Sequence, residues 1–211
     1  MMHLEICVED ASGKIFLENI LPRVIRNDVS WRVHGYRGIG RIPKGLQSTD
    51  NAEHRIILDN LPKLIRGCAN TPHVTALIIV IDSDQRDCEA FLKELKDVHN
   101  NIAPNANVIF RLAIEEMEAW ILGDRSAIEA AYPKVTQAAI DAYSQDTVCG
   151  TWEVLADAIH PGGSQALIAA GWPAPGAAKC DWAANIPPHM DLTLNKSPSF
   201  NKFLEALAPF C

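Results

Sequence analysis

The segment Ala76-Leu77-Ile78-Ile79-Val80-Ile81 is apolar at every position. A strand with one wet face alternates apolar and polar residues. An unbroken run of this kind suits a strand buried on both faces, as in the middle of a parallel sheet. Such a strand needs neighbours on both edges and helices over both faces, and the flanking sequence supplies them. Leu4–Val8 and Val29–Val33 are β-prone, and Asn107–Ala113 is a further strand. Helical spacing places Phe16, Leu17, Ile20, Leu21 and Val24 on one face of a helix over 12–26, weakened or kinked by Pro22. A second helix over 51–67 turns Ile57, Leu61, Leu64 and Ile65 inward and carries Pro62. A third, Asp84 to about His99, turns in Phe91, Leu92, Leu95 and Val98, and a fourth runs from Glu115 to Leu122. The resulting β-α alternation predicts an α/β fold with a mostly parallel central sheet flanked by helices.

Beyond Asp124 the pattern becomes mainly helical, with helices expected over 125–131, 135–143, 151–159 and 164–170. Loops are expected at Pro173, Pro175 and Gly176 and at Pro187-Pro188. Ser197 is a good N-cap and Pro198 suits the first helical position, so a last helix starts there, with Phe200, Phe203, Leu204 and Leu207 inward. At 211 residues the chain reads as one domain, 1–211, with an α/β core over 1–123 and a helical C-terminal extension over 124–211. No stretch is long and apolar enough for a membrane span. The start Met1-Met2-His3-Leu4-Glu5 has no basic region and reads as strand, not as a signal peptide. Six cysteines without C-x-x-C pairs or zinc-type histidine spacing read as free thiols, and the expected location is the cytoplasm. Trp120, Trp152, Trp172 and Trp182 read as packing residues.

In wound α/β sheets, functional groups gather past the carboxyl ends of the strands. Three strand ends here are acidic: Glu9-Asp10, Asp82-Ser83-Asp84, and Glu115, Glu116 and Glu118. Residues two apart in an extended chain point the same way, so Asp82 and Asp84 can face one ion, with Glu9 beside them from the neighbouring strand. Crowded carboxylates repel one another unless a cation neutralises them, and all-oxygen donors favour Mg²⁺, Mn²⁺ or Ca²⁺. The plainer account is that Asp84 caps a helix and Asp82 opens a turn. Glu115 and Glu118, three apart, share a helix face; they are either further ligands or acids placed well for the helix dipole.

The net charge of −7 conceals a basic stretch: residues 14–66 hold ten Lys and Arg against five Asp and Glu. Within it, Gly35, Gly38, Gly40 and Gly45 surround Arg37, Arg41 and Lys44, a loop suited to phosphate contact or simply a mobile surface loop.

Four pieces together carry a resemblance: Val8-Glu9-Asp10, Ile78 to Asp84, Ile114-Glu115-Glu116-Met117-Glu118-Ala119-Trp120-Ile121-Leu122, and Asn195-Lys196-Ser197-Pro198-Ser199-Phe200. A strand ending in Glu and a later strand ending in Asp-x-Asp resemble the Toprim fold of topoisomerases, bacterial primases and overcoming-lysogenization-defect (OLD) nucleases. More specifically, the chain resembles a bacterial family grouped with Toprim-like proteins and often encoded beside AAA-type ATPases. The resemblance implies a Mg²⁺- or Mn²⁺-dependent nuclease or related phosphoryl-transfer enzyme acting on nucleic acid, DNA before RNA, in a setting such as phage defence. It implies acid/base or ligand duty for Glu9, metal binding by Asp82 and Asp84, and a second metal at Glu115 or Glu118. One of Lys179, Lys196 and Lys202 would stabilise the scissile phosphate, and Arg37, Arg41 and Lys44 would hold the backbone. It also implies a homodimer and an ATPase partner. Nuclease relatives often place Gly after the first Glu and a second acid soon after it; here Asp10 and Gly13 stand near those places. That departure supports the rival expectation, a non-catalytic regulatory module that binds an AAA-type ATPase. A phosphatase or response-regulator-like acceptor using Asp82 is a third reading.

Overall fold

The computed structural model describes residues 2–47, 55–147 and 149–211. Four strands, β1 (Met2–Val8), β2 (Val29–Gly35), β3 (Ala76–Asp82) and β4 (Val108–Ala113), form one sheet in the order β2-β1-β3-β4. Every neighbouring pair is parallel, with Ile6 opposite Val33 and Ile78, and Ile79 opposite Phe110. The sheet is thus wholly parallel, and β3 lies inside it, as its apolar run demands. From β1 the chain passes to β2 on one side, then jumps back across β1 to β3. The direction of winding therefore switches between β1 and β3, and a crevice opens past their carboxyl ends.

This winding decides which helices cover which face. Helix α1 (Ala11–Ile20) packs over Leu4, Ile6, Val8, Ala76, Ile78 and Val80. Helices α2 (Ile57–Asn70) and α3 (Cys88–Ile102) cover Cys7, Leu77, Ile79, Ile81 and Phe110 on the other face. Alternate residues of one strand feed two separate cores, which is the reason β3 has no polar position before Asp82.

Several boundaries differ from those expected. Helix α1 stops at Ile20, and Pro22 falls in a following 3₁₀ turn, Leu21–Arg23, so it ends the helix and does not kink it. Helix α2 contains Pro62 and runs on to Asn70; the expected start over 51–54 lies outside the described residues. Helix α3 begins at Cys88, capped by Asp87, whose Oδ1 accepts from Ala90 N at 2.7 Å, so Asp84 is not its cap.

The C-terminal part is helical: α4 (Glu118–Leu122), α5 (Arg125–Ala131), α6 (Gln137–Asp141), α7 (Thr151–Ile159), α8 (Gly163–Ala170), α9 (Ala174–Asn185) and α10 (Pro198–Leu207). Helix α9 replaces the loop expected from Pro173, Pro175 and Gly176. Pro175 sits in the first turn, where a missing N–H costs nothing, and the rest of the helix packs on α1. Ser197 caps α10 as expected, accepting from Phe200 N at 3.2 Å. Trp120 is fully buried, with ring centroids 5.1 Å from Phe203, 5.3 Å from Phe200 and 5.9 Å from Phe16. The same apolar cluster thus holds residues of both the 1–123 and 124–211 segments. Trp182 is buried as expected, but Trp172 is 85% exposed and packs into no core. All six cysteines are free. No helix among the described residues is long and apolar enough to cross a membrane.

Candidate acidic centre at the sheet switch point

The crevice between the ends of β1 and β3 is where the acids converge. Glu9 leaves β1 into a turn whose carbonyl accepts from Gly38 N at 3.0 Å, so the glycine-rich loop folds back over the strand end. Asp10 caps α1: its Oδ1 accepts from Gly13 N and its Oδ2 from Ser12 Oγ, both at 2.7 Å. A Cβ on Gly13 would lie 3.2 Å from both Asp10 Oδ1 and Met117 Cε. The tight first turn of α1 therefore has little room for an acid where Gly13 stands.

Asp82 ends β3 and points into the crevice region, while Asp84 does not continue the alternation. Its φ is +48°, which breaks the extended chain, and its side chain is 51% exposed and bonded to Arg86 at 3.0 Å. The pair therefore does not face one point, and Asp84 stands at the mouth, close enough to raise the pKa of Glu9. This turn is tied to the end of β4. Asp84 N donates to Glu115 O at 2.9 Å, and Glu115 N, from a residue with φ +62°, donates to Ser83 Oγ at 2.8 Å. Two non-glycine residues in left-handed geometry, joined to each other, hold the strand ends in a shape that costs roughly 1–3 kcal/mol apiece.

Glu115 and Glu118 part company. Residues 114–117 form a bend before α4, so the shared helix face expected for the two does not exist. Glu115 Oε1 accepts from Gly150 N at 2.6 Å and Oε2 from Thr151 N at 2.9 Å, with a further bond from Thr151 Oγ1. It thereby closes the N-terminus of α7. Glu115→Ala is expected to cost about 1–3 kcal/mol through the two N–H groups it strands, one on the buried Thr151 and one on the half-buried Gly150. Chemical denaturation measures that loss, and the variant is expected to keep the metal affinity of the native protein.

Glu118 and Glu116 turn inward instead. Lys179 of α9 reaches both, with its Nζ 3.1 Å from Glu116 Oε1 and 3.2 Å from Glu118 Oε2. The contact to Glu118 is an ion pair outside hydrogen-bond angles, so that oxygen has no hydrogen-bond partner among the described residues. Lys196 and Lys202 lie elsewhere, along two other surface recesses. The bend before α4 and the unexpected helix α9 together select Lys179 and add Glu116; nothing in the local sequence pattern around either residue marks them.

Glu9, Asp10, Asp82, Glu116 and Glu118 thus surround one ammonium. The electrostatic consequences follow. Burial, then the charges of Asp84 and Asp10, pushes Glu9 up to about 7. Asp82 keeps some solvent contact, but protein crowds its carboxylate, and burial with the charge of Glu9 raises its pKa well above the usual range. Glu118 is pushed up to about 7 by burial, with Lys179 pulling the other way. Lys179 is itself desolvated, yet Glu118, Glu116 and Asp82 raise its pKa further, so it is an ammonium at any working pH. One oxygen, Glu9 Oε2, is buried with no hydrogen-bond partner among the described residues. Among those residues, no three His, Cys, Asp or Glu side chains are arranged to hold a metal ion as they stand; the lysine lies among the carboxylates.

Arg37, Arg41 and Lys44 are exposed on the loop beside this centre. Only Arg37 lines a recess next to α1, and the backbone N of Arg41 instead binds Asp59 Oδ1 at 2.9 Å, against α2.

A family model described as a domain of unknown function (DUF4276) matches residues 8–208, which takes in every acid of the centre as well as α9 and α10. No curated protein and no solved structure matches the chain.

Proposed function

Since the chain belongs to the DUF4276 family, we propose, from the chemistry of its acidic centre, that it is a Mg²⁺- or Mn²⁺-dependent phosphoryl-transfer enzyme, a Toprim-like nuclease acting on nucleic acid. The observation that carries this is the charge surplus in the crevice: among the described residues, five carboxylates share one ammonium, and a buried oxygen of Glu9 has no partner. A purely structural ion network balances its charges, because each unpaired buried charge is costly. The donors here are all oxygen, which suits a hard divalent cation.

Asp82, Glu9 and Glu118 would hold the ion, with Asp10 beside them and Asp84 at the mouth. When bound, such an ion supplies Lewis acidity toward a phosphate oxygen. Glu9, with a pKa of about 7, holds or takes up a proton at Oε2 near neutral pH. Lys179, always charged, opposes the effect of burial on Glu116 and Glu118 and offers its ammonium to the negative charge of a transferring phosphoryl group.

Mn²⁺ titration by calorimetry tests the reading. The native protein is expected to bind, and Asp82→Asn to lose at least about tenfold in affinity, as removal of one ligand from such a site does. A folded native protein that takes up no Mn²⁺, or an Asp82→Asn variant that binds equally well, overturns it.

One observation favours a second reading. Lys179 already neutralises part of the cluster from within, as in a domain that no longer needs an ion. In that case the chain is a non-catalytic regulatory module, and an AAA-type ATPase is the partner proposed for it.

A further inference from the structure

A recess of about 460 Å³ opens on the outer edge of β2, where the sheet has no further strand. Lys14 of α1, Arg32 of β2, Arg37 of the glycine-rich loop and Arg55 line it, with His34 at its side. Among the described residues, no Asp or Glu contributes to its wall. Of the acids nearby, Glu18 lies 3.7 Å from Lys14 along α1, and Glu5 is held between His3 at 3.2 Å and His34 at 2.5 Å. Arg32, Arg37 and Arg55 are exposed and make no ion pair among the described residues. In a chain of net charge −7, three arginines with no ion pair among the described residues have gathered beside Lys14.

The recess adjoins the acidic centre. Ala11, on its wall, directly follows Asp10, and a Cβ on Gly35 would come within 2.9 Å of the Asp10 carbonyl oxygen. Glycine at this point lets the end of β2 lie against the start of α1, so the basic wall and the acids share one backbone corner. The volume is that of a small-ligand site. It admits a sugar-phosphate backbone, and cations set in a recess are less screened than cations on an open surface.

We propose that this recess is a binding site for the phosphates of one nucleic-acid strand, which it leads across the edge of β2 to the acidic centre. The inference rests on the reading of that centre as one that acts on nucleic acid, and it moves the backbone contacts from Arg41 and Lys44 to Lys14, Arg32 and Arg55, with Arg37 common to both. Such contacts are sequence-independent and salt-sensitive.

The test is fluorescence anisotropy of a labelled oligothymidylate with the full chain in EDTA, so that no cleavage occurs and no metal contributes. Native protein is expected to bind at low salt and to weaken steeply as salt rises. Arg32→Ala/Arg55→Ala is expected to bind about tenfold or more weakly, with a salt slope lower by about 1 for each phosphate no longer neutralised. The single variant Arg32→Gln, which removes one charge and keeps a polar side chain, is expected to show a smaller loss in the same direction. Lys93→Ala/Lys96→Ala, on α3 by the opposite edge of the sheet, is expected to bind as the native protein does. Unchanged affinity and slope in the folded double variant, or no binding by the native protein at low salt, overturns the proposal. Displacement of the oligonucleotide by inorganic phosphate at equal phosphate concentration overturns the assignment to a polynucleotide. Mn²⁺ uptake by the native protein is read separately by calorimetry without oligonucleotide, so failure of the metal reading and failure of this one give different results.

Discussion

Lys179→Met is expected to lower the thermal midpoint by about 6–20 °C at pH 8 in the presence of a chelator. Breaking a buried ion pair by removing one partner costs roughly 3–5 kcal/mol, and each kcal/mol moves the midpoint of a chain this long by about 2–4 °C. The reason is local. Lys179 lies 3.1 Å from Glu116 and 3.2 Å from Glu118 and is only 15% exposed, so water cannot take its place. Without it, Glu116 and Glu118 either remain as uncompensated charges or take up protons. The loss should therefore shrink at pH 5, where protonation relieves it. The double variant Lys179→Met/Glu118→Gln is expected to recover much of the stability, because it removes one of the stranded charges. Scanning calorimetry at both pH values decides the matter. A midpoint within about 2 °C of native at pH 8 would show that the ammonium is not what holds these carboxylates together.

Asp82→Asn is expected to move stability the other way while weakening metal binding. Glu9, Asp82 and Glu118 all have pKa values raised by burial and by neighbouring carboxylates. A raised carboxyl pKa means that the folded state resists ionisation. Below about pH 4.5 these groups are protonated in both states and cost nothing. Between there and about pH 7 the unfolded chain releases their protons and the folded chain retains them, so stability falls as pH rises. In chelator the midpoint is thus expected to decline from pH 5 to pH 7.5, and saturating Mn²⁺ to flatten the decline by binding the ionised folded form. A neutral isostere at position 82 removes one repelling charge. An active-site relief of about 1–2 kcal/mol is typical, or about 2–8 °C. A midpoint that stays level or climbs with pH in chelator would contradict the crowding of charge in the crevice.

The opposite signs of these two substitutions reflect one arrangement. The centre has too little positive charge for its acids, so removing the lysine worsens the imbalance and removing an aspartate eases it. Positions that lose function and gain stability together are expected where a ligand supplies the missing charge.

What the sequence determined by itself is the sheet and the neighbourhood of the chemistry. The unbroken run Ala76–Ile81 can be satisfied only by burial on both faces, and the structure places β3 inside a wholly parallel sheet. Acids at the ends of β1 and β3 were legible because strand ends in a wound sheet all open on one side, whatever the loops do. Ser197 and Pro198 were legible as well, because caps depend on a few adjacent residues. Tertiary structure alone decided which acids meet. Whether Glu115 or Glu116 turns inward depends on the bend before α4, and that bend is held by Gly150 and Thr151, 35 and 36 residues away. The choice of Lys179 over Lys196 and Lys202 depends on α9, a helix whose Pro175 and Gly176 argue locally against it and whose packing on α1 overrides them. The cations of the β2 edge come from four separate segments that local periodicity cannot connect. The physical reason is the same in each case. Periodicity and capping act over one or two turns of chain, whereas the field at a buried carboxylate is set by whichever charges the whole fold brings close to it.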